Sequence, residues 1–141
     1  MNIYFACSIT GGREFESSYL SIVDAMLADG HEVPTAHLAT PKVRELEITA
    51  APAEVYARDV DWVRNSDVLV AEVSTPSHGV GYEIGFALGL GKPVLACHRS
   101  DRGISKMISG NPDANLTVRD YATPAEAVQI VREYLGRPQV R

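Results

Sequence analysis

Two carboxylates stand in surroundings that suit work at a reacting carbon. Glu83 closes the run Glu72-Val73-Ser74-Thr75-Pro76-Ser77-His78-Gly79-Val80-Gly81-Tyr82-Glu83, which passes from an apolar strand through a polar loop into an apolar helix. In the first turn of that helix a carboxylate complements the macrodipole, a gain of about 0.3–1 kcal/mol, and that bland role accounts for its position. The same location also aims it at a site mouth, where the dipole would keep it ionised and ready to attack carbon. Asp59, in Arg58-Asp59-Val60-Asp61-Trp62, shares a helix face with Trp62 at i, i+3 spacing, so an aromatic ring is placed to border a base. Read alone, Asp59 and Asp61 are equally ordinary surface charges. Together, Glu83 and Asp59 supply what glycosidic cleavage needs: one group to trap an oxocarbenium-like centre and one to help the leaving group.

Two stretches can hold an anion. In Ser8-Ile9-Thr10-Gly11-Gly12-Arg13-Glu14 the glycine pair lets backbone N–H groups approach a phosphate, and the following helix start adds a positive dipole end. The spacing fits neither the Walker nor the dinucleotide pattern, so a simple turn stays open as the alternative. Ser77, Gly79 and the backbone near Gly81 form a second such edge. Among the histidines, His37 follows a strand candidate and can reach the pocket, His31 reads as a helix exit, and His78 and His98 stay unassigned. No Ser–His–Asp order is convincing.

The elements that must position these residues alternate. Nearly unbroken apolar runs at residues 3–7, 68–73 and 94–97 read as strands buried on both faces, with weaker candidates at 31–34 and 116–119. Residues 15–29 place Tyr19, Leu20, Val23, Met26 and Leu27 on one helix side, with Gly30 as the stop. Residues 52–65 carry Val55, Tyr56, Val60 and Val63 at helical spacing, and residues 81–90 form an apolar helix ended by Gly91, Lys92 and Pro93; both should face a core. Thr123, Pro124 and Glu126 spell a capping box at the start of a last helix. The pattern predicts one α/β domain over residues 1–141, a doubly wound, Rossmann-like (flavodoxin-like) parallel sheet of five strands with helices on both faces. Ligands in such sheets bind beyond the carboxyl ends of strands, where strand order switches. Residues 38–50 have a weak pattern and are a candidate lid.

Bulk properties narrow the partners. The chain has 141 residues, 45% hydrophobic and 22% charged, with a formal charge of -5, which disfavours adhesion to a nucleic-acid polymer or an anionic membrane but not a mononucleotide. No apolar run approaches the roughly 20 residues of a membrane span, and the start lacks a secretory pattern, so a cytoplasmic location is expected. Cys7 and Cys97 sit in strand-like runs without zinc spacing and read as core residues. Neither a metal nor a redox cofactor is called for.

With these residues in place, the chain resembles the 2′-deoxynucleoside 5′-phosphate N-hydrolases, relatives of the nucleoside 2-deoxyribosyltransferases. The likeness runs through residues 3–14, Asp59-Val60-Asp61-Trp62, residues 67–85 with Ala71-Glu72-Val73 and Gly79-Val80-Gly81-Tyr82-Glu83-Ile84-Gly85, and Ser105-Lys106-Met107-Ile108-Ser109-Gly110. The resemblance implies that Glu83 is a nucleophile forming a glycosyl ester at C1′ that water resolves to the 5-phosphosugar. It gives Asp59 contact with the sugar and assistance to base departure or water attack, and Tyr4 the orientation of nucleophile and sugar. Ser8, Ser77 and Gly79 match phosphate-contacting positions. Ser105 matches a serine that reaches the neighbouring subunit's substrate, which implies a homodimer with composite sites. Ile9, Gly11, Gly12 and Arg13 are expected with the phosphate- and sugar-binding positions, His37 and Trp62 on the base side, and Ile9 and His37 among the pocket walls that decide selectivity. The family often carries arginine where this chain has Thr10, which leaves Arg13 to compensate. Base exchange between deoxynucleosides and a nucleotide sensor without turnover are the competing expectations. A cytokinin-activating type of phosphoribohydrolase is disfavoured, because its glycine-rich motif before a catalytic Glu is absent.

Overall fold

The computed structural model describes residues 1–136. Four strands, β1 (Ile3–Ala6), β2 (Val68–Glu72), β3 (Val94–Arg99) and β4 (Leu116–Tyr121), form a wholly parallel sheet in the order β1-β2-β3-β4. The helices are α1 (Glu16–Ala28), α2 (Val43–Glu47), α3 (Pro52–Asn65), α4 (His78–Gly89), α5 (Lys106–Ser109) and α6 (Pro124–Leu135), with a 3-10 turn at Ala36–Ala39.

The sheet has four strands rather than the five expected. The candidate at residues 31–34 shrinks to one parallel bridge, Asn2 to Glu32, in which Ile3 N–H donates to Glu32 O at 2.8 Å. Pro34 has no N–H with which to extend the pairing, and Ala36 N–H already turns back to Val33 O at 3.0 Å. That bridge still lies beyond β1 on the side away from β2. The chain therefore departs from β1 in both directions, which places the crevice at the carboxyl ends of β1 and β2.

Strand periodicity divides the core in two. Ile3, Phe5, Cys7, Val68, Val70, Leu95 and Cys97 pack with Tyr19, Ile22 and Met26 of α1 and Ile130 and Val131 of α6. Tyr4, Ala6, Leu69, Ala71, Val73, Val94 and Ala96 meet Val63 of α3 and Val80, Ile84 and Ala87 of α4 on the other face. Ala6, Ala71 and Ala96 lie side by side in register, and three methyl-sized side chains leave room for α4 to approach the sheet. Cys7 and Cys97 are buried and unpaired, as core residues should be.

Helix boundaries differ from the sequence pattern in instructive ways. Leu27 is exposed, and Ile22 takes the inward position on α1. Within α3 only Val63 is buried, while Tyr56 stands 57% exposed at the surface. Helix α4 begins three residues earlier than expected because Ser77 caps it, its Oγ accepting from Val80 N–H at 3.3 Å. At α6 Thr123 Oγ1 accepts from Glu126 N–H at 3.2 Å, and Glu126 reaches back to Ala122 N–H at 2.8 Å rather than to the cap residue itself. Residues 38–50 are anchored at one end, with Leu38, Ala39 and Val43 in the core, whereas Leu46 and Ile48 are exposed.

Candidate active site

Tyr4 and Ser8 mark where β1 enters the crevice, and both are wholly buried. The Tyr4 hydroxyl lies against Glu83 but makes no hydrogen bond of ordinary geometry. Burial, reinforced by the Glu83 and Asp59 charges, holds the phenol far above its usual range, so Tyr4 stays a donor. Ser8 Oγ is buried with no hydrogen-bond partner among the described residues. Beyond it the chain turns at Gly11, where a Cβ would meet Pro76 O at 2.5 Å and Ser8 Oγ at 3.0 Å. The two loops that leave β1 and β2 therefore touch through a position that only hydrogen can fill.

The β2 loop is shaped from below by Glu72, which is fully buried at the strand end. Its Oε1 accepts from Ser74 N–H at 3.2 Å, from Ser74 Oγ and from Tyr121 Oη at 3.1 Å. Burial raises this carboxyl above its ordinary range despite those bonds. Ser74 Oγ in turn receives Arg99 N–H at 2.8 Å, which ties the loop to β3.

Glu83 sits in the second turn of α4, not the first, because the helix starts at His78. The dipole falls off within the first turn, so burial decides its ionisation. Burial pushes the carboxyl up to about 8, Asp59 adds to the rise, and the Tyr4 hydroxyl opposes it. The expectation that the dipole keeps Glu83 readily ionised is thus corrected. Gly79 leaves it open: a Cβ there would rest 3.6 Å from Glu83 Oε1.

Asp59 and Glu83 line one cavity of about 400 Å³ together with Tyr56, Gly79, Tyr82 and Phe86. The exposed rings of Tyr56 and Tyr82 close its outer wall, their hydroxyls 3.3 Å apart, and Phe86 stacks on Tyr82. On the other side of Asp59, Arg58 Nε donates to Asp59 Oδ1 at 2.8 Å, and Arg58 also reaches Glu47 at 3.0 Å. Trp62 lies under the Arg58 guanidinium at 4.8 Å and meets the edge of His37 at 5.9 Å, so Trp62 and His37 share one corner. A second opening of about 390 Å³ is lined by Ile9, Thr10, Arg44, Glu47 and Ile48.

Arg13 is turned to another task. It donates to Glu16 at 2.8 Å, Leu38 O at 2.7 Å, Thr40 O at 2.9 Å and Ser8 O at 3.2 Å, bracing the start of residues 38–50 against β1. Gly12 follows Gly11 with φ at 125°, a conformation costly for other residues. Ser105 is exposed at the start of α5 and lines a different recess, with Ser77, Gly81, Gly85 and Met107, which adjoins the Glu83 cavity at His78 and Tyr82. Among the described residues, no group of three or more His, Cys, Asp and Glu side chains is placed to hold a metal, and no helix is long and apolar enough to cross a membrane.

Arg58 and Glu47 gave no signal in the sequence. Arg58 merely precedes Asp59, and Glu47 lies eleven residues away in a weakly patterned stretch, so only the folded chain brings them together. The aromatic wall of Tyr56, Tyr82 and Phe86 was concealed as apparent core residues at helical spacing.

The sequence pattern of the family described as nucleoside 2-deoxyribosyltransferase is matched across residues 3–127. A 5-hydroxymethyl-dUMP N-hydrolase of Rattus norvegicus is 42% identical over 126 residues, covering 86% of this chain and 77% of that protein. One from Tetraodon nigroviridis is 39% identical over 141 residues, covering 96% and 98% respectively. Among solved structures, the CMP N-glycosidase BcmB of Clostridium botulinum shares the fold with a TM-score of 0.71 at 20% identity, over 94% of this chain and 98% of that one.

Proposed function

The chain belongs to the nucleoside 2-deoxyribosyltransferase family, and from that premise we infer that it hydrolyses the N-glycosidic bond of 2′-deoxynucleoside 5′-monophosphates. The products are free base and 2-deoxyribose 5-phosphate. The observation that carries the reading is the half-buried Glu83, open past Gly79, beside Tyr4 and in one cavity with Asp59.

Glu83 in its ionised form attacks C1′ as the C1′–N bond breaks and its electron pair passes to the base nitrogen. The proton on that nitrogen comes in net from the water that later supplies its oxygen to C1′. Tyr4 steers the Glu83 oxygen toward C1′, and Asp59 assists first the departing base and then the water that hydrolyses the glycosyl ester. Ser8, Gly11, Gly12, Ser77 and Gly79 form the phosphate edge, and Ile9, His37 and Trp62 border the base. Thr10 brings no charge to the loop and Arg13 is bound to carbonyls, so backbone and hydroxyl donors read the phosphate.

The test is a chromatographic assay of free base from a panel of deoxynucleotides, ribonucleotides and unphosphorylated deoxynucleosides. Release confined to deoxynucleotides supports the reading. Exchange between unphosphorylated nucleosides with an added free base moves the chain to base transfer, and silence throughout moves it to a sensor.

The raised pKa of Glu83 fixes the pH dependence. Only the carboxylate attacks, and the free-enzyme pKa is about 8, so kcat/KM should climb with pH on an acid limb and level off above pH 8. A flat profile from pH 6 to 9 would sink Glu83 as nucleophile.

Ser105 lines a recess with Ser77 that meets the Glu83 cavity at His78 and Tyr82, and it does not line the Glu83 cavity itself. This supports a homodimer in which Ser105 serves the neighbouring subunit's phosphate site. Mixed dimers of Ser105→Ala and Glu83→Gln chains then contain one intact site, and random 1:1 assortment should restore about a quarter of wild-type activity. Verified mixed dimers no more active than their parents would show that each site is self-contained.

A further inference from the structure

We propose that Arg58 is a positioning residue that fixes the Asp59 carboxylate and couples it, through Glu47, to the segment carrying His37. The proposal rests on the hydrolase reading, in which Asp59 works at the sugar.

The guanidinium bridges two carboxylates from different elements. Nε donates to Asp59 Oδ1 at 2.8 Å, while NH2 donates to Glu47 Oε1 at 3.0 Å and Oε2 at 3.3 Å. His37 Nε2 lies 2.9 Å from the same Glu47 oxygen. The arrangement is half-buried: the Asp59, Glu47 and Arg58 side chains are 19%, 14% and 30% exposed. A rigid planar fork can hold two carboxylates at fixed relative angles, which a flexible ammonium cannot. The plane of that fork is itself set by Trp62, 4.8 Å from the guanidinium carbon.

The consequence lies at Asp59. One oxygen is committed to Arg58, so the other is held toward the cavity that Glu83 shares. Because Glu47 ends α2 and His37 lies in the 3-10 turn before it, the seating of residues 36–47 over the base side is linked to Asp59 by a continuous chain of charged hydrogen bonds. A segment that shifted away would release Arg58 and with it the orientation of Asp59.

The test uses the whole chain and deoxynucleotide turnover. Arg58→Gln should lower kcat by about 10–100-fold with KM within a few-fold, since misplacement of a group acting in the transition state appears in kcat. Glu47→Gln should cost less, and Arg58→Gln/Glu47→Gln no more than Arg58→Gln alone, because Glu47 acts through Arg58. Arg58→Lys should recover melting temperature but not full kcat. Trp62 is the chain's one tryptophan, so its emission gives a second readout without substrate. It should change in both Arg58→Gln and Glu47→Gln as the cation leaves the ring. Losses that multiply in the double variant, full kcat in a folded Arg58→Gln, or unaltered emission in Glu47→Gln would each overturn the proposal. A wild-type enzyme that releases no base from any nucleotide overturns the hydrolase reading instead, and the two failures are thereby told apart.

Discussion

Glu83→Gln should reduce deoxynucleotide hydrolysis by roughly three orders of magnitude or more, while nucleotide binding persists. The amide keeps the shape of the side chain and can still receive the Tyr4 hydroxyl, but it offers no carboxylate to form the glycosyl ester. Binding is retained because the phosphate edge is built from the β1 and β2 loops and does not use the Glu83 side chain. Single-turnover base release together with equilibrium binding of the same nucleotide checks both halves. Wild-type turnover in this variant would remove Glu83 from the mechanism.

The same substitution should stabilise the protein, in a pH window that the carboxyl itself defines. Glu83 titrates near 8 in the folded chain and near 4.5 when unfolded. Between those values the folded state holds a proton that the unfolded state has lost, so wild-type stability falls as pH rises through the window. Glutamine does not titrate. The melting temperature of Glu83→Gln should therefore match wild type near pH 4, exceed it increasingly toward pH 8, and hold a constant lead above. The shift corresponds to at most about 5 kcal/mol. An equal gap at pH 5 and pH 9 would mean that the gain has another origin. The cost of keeping a half-buried, ionisable nucleophile is a stability cost borne for function.

How much of this was legible beforehand depended on whether the cause was local. Buried parallel strands announced themselves by unbroken apolar runs, and the cap at Thr123 by residue types three apart. Residues 31–34 looked like a fifth strand because Val33 and its neighbours suit one, yet Pro34 removes the donor that pairing needs. The start of α4 lies at His78 rather than Gly81: His78 and Gly79 read as loop, whereas the Ser77 cap and the packing of Val80 against the sheet carry the helix through them. That error also put Glu83 one turn too close to the helix end and so inverted the expected direction of its pKa. Glu83 and Asp59, whose separation sequence spacing cannot fix, line one cavity, but the Arg58–Glu47 bridge depends on the path of residues 36–50, which no periodicity encodes.

Gly11→Ala should cost about a hundredfold in kcat/KM for deoxynucleotides and little for the corresponding unphosphorylated deoxynucleosides. The added methyl would sit 2.5 Å from Pro76 O, a backbone atom that cannot swing aside, and 3.0 Å from Ser8 Oγ. Relief requires the β1 and β2 loops to separate, and those loops carry Ser8 on one side and Ser77 on the other. Glu83, Asp59 and Tyr4 stand on α4, α3 and β1 rather than in the two loops. The damage therefore falls on whatever the loops jointly hold. Gly79→Ala is the contrast: its methyl would rest at ordinary contact distance, 3.6 Å from Glu83 Oε1. That variant should fold normally and lose turnover on phosphorylated and unphosphorylated substrates alike, because it covers the nucleophile. Parallel losses on both substrate classes for Gly11→Ala would show that the glycine pair shapes the whole crevice. A loss confined to nucleotides would assign the loop junction to the phosphate, in a chain whose nearest arginine is already bound to its own backbone.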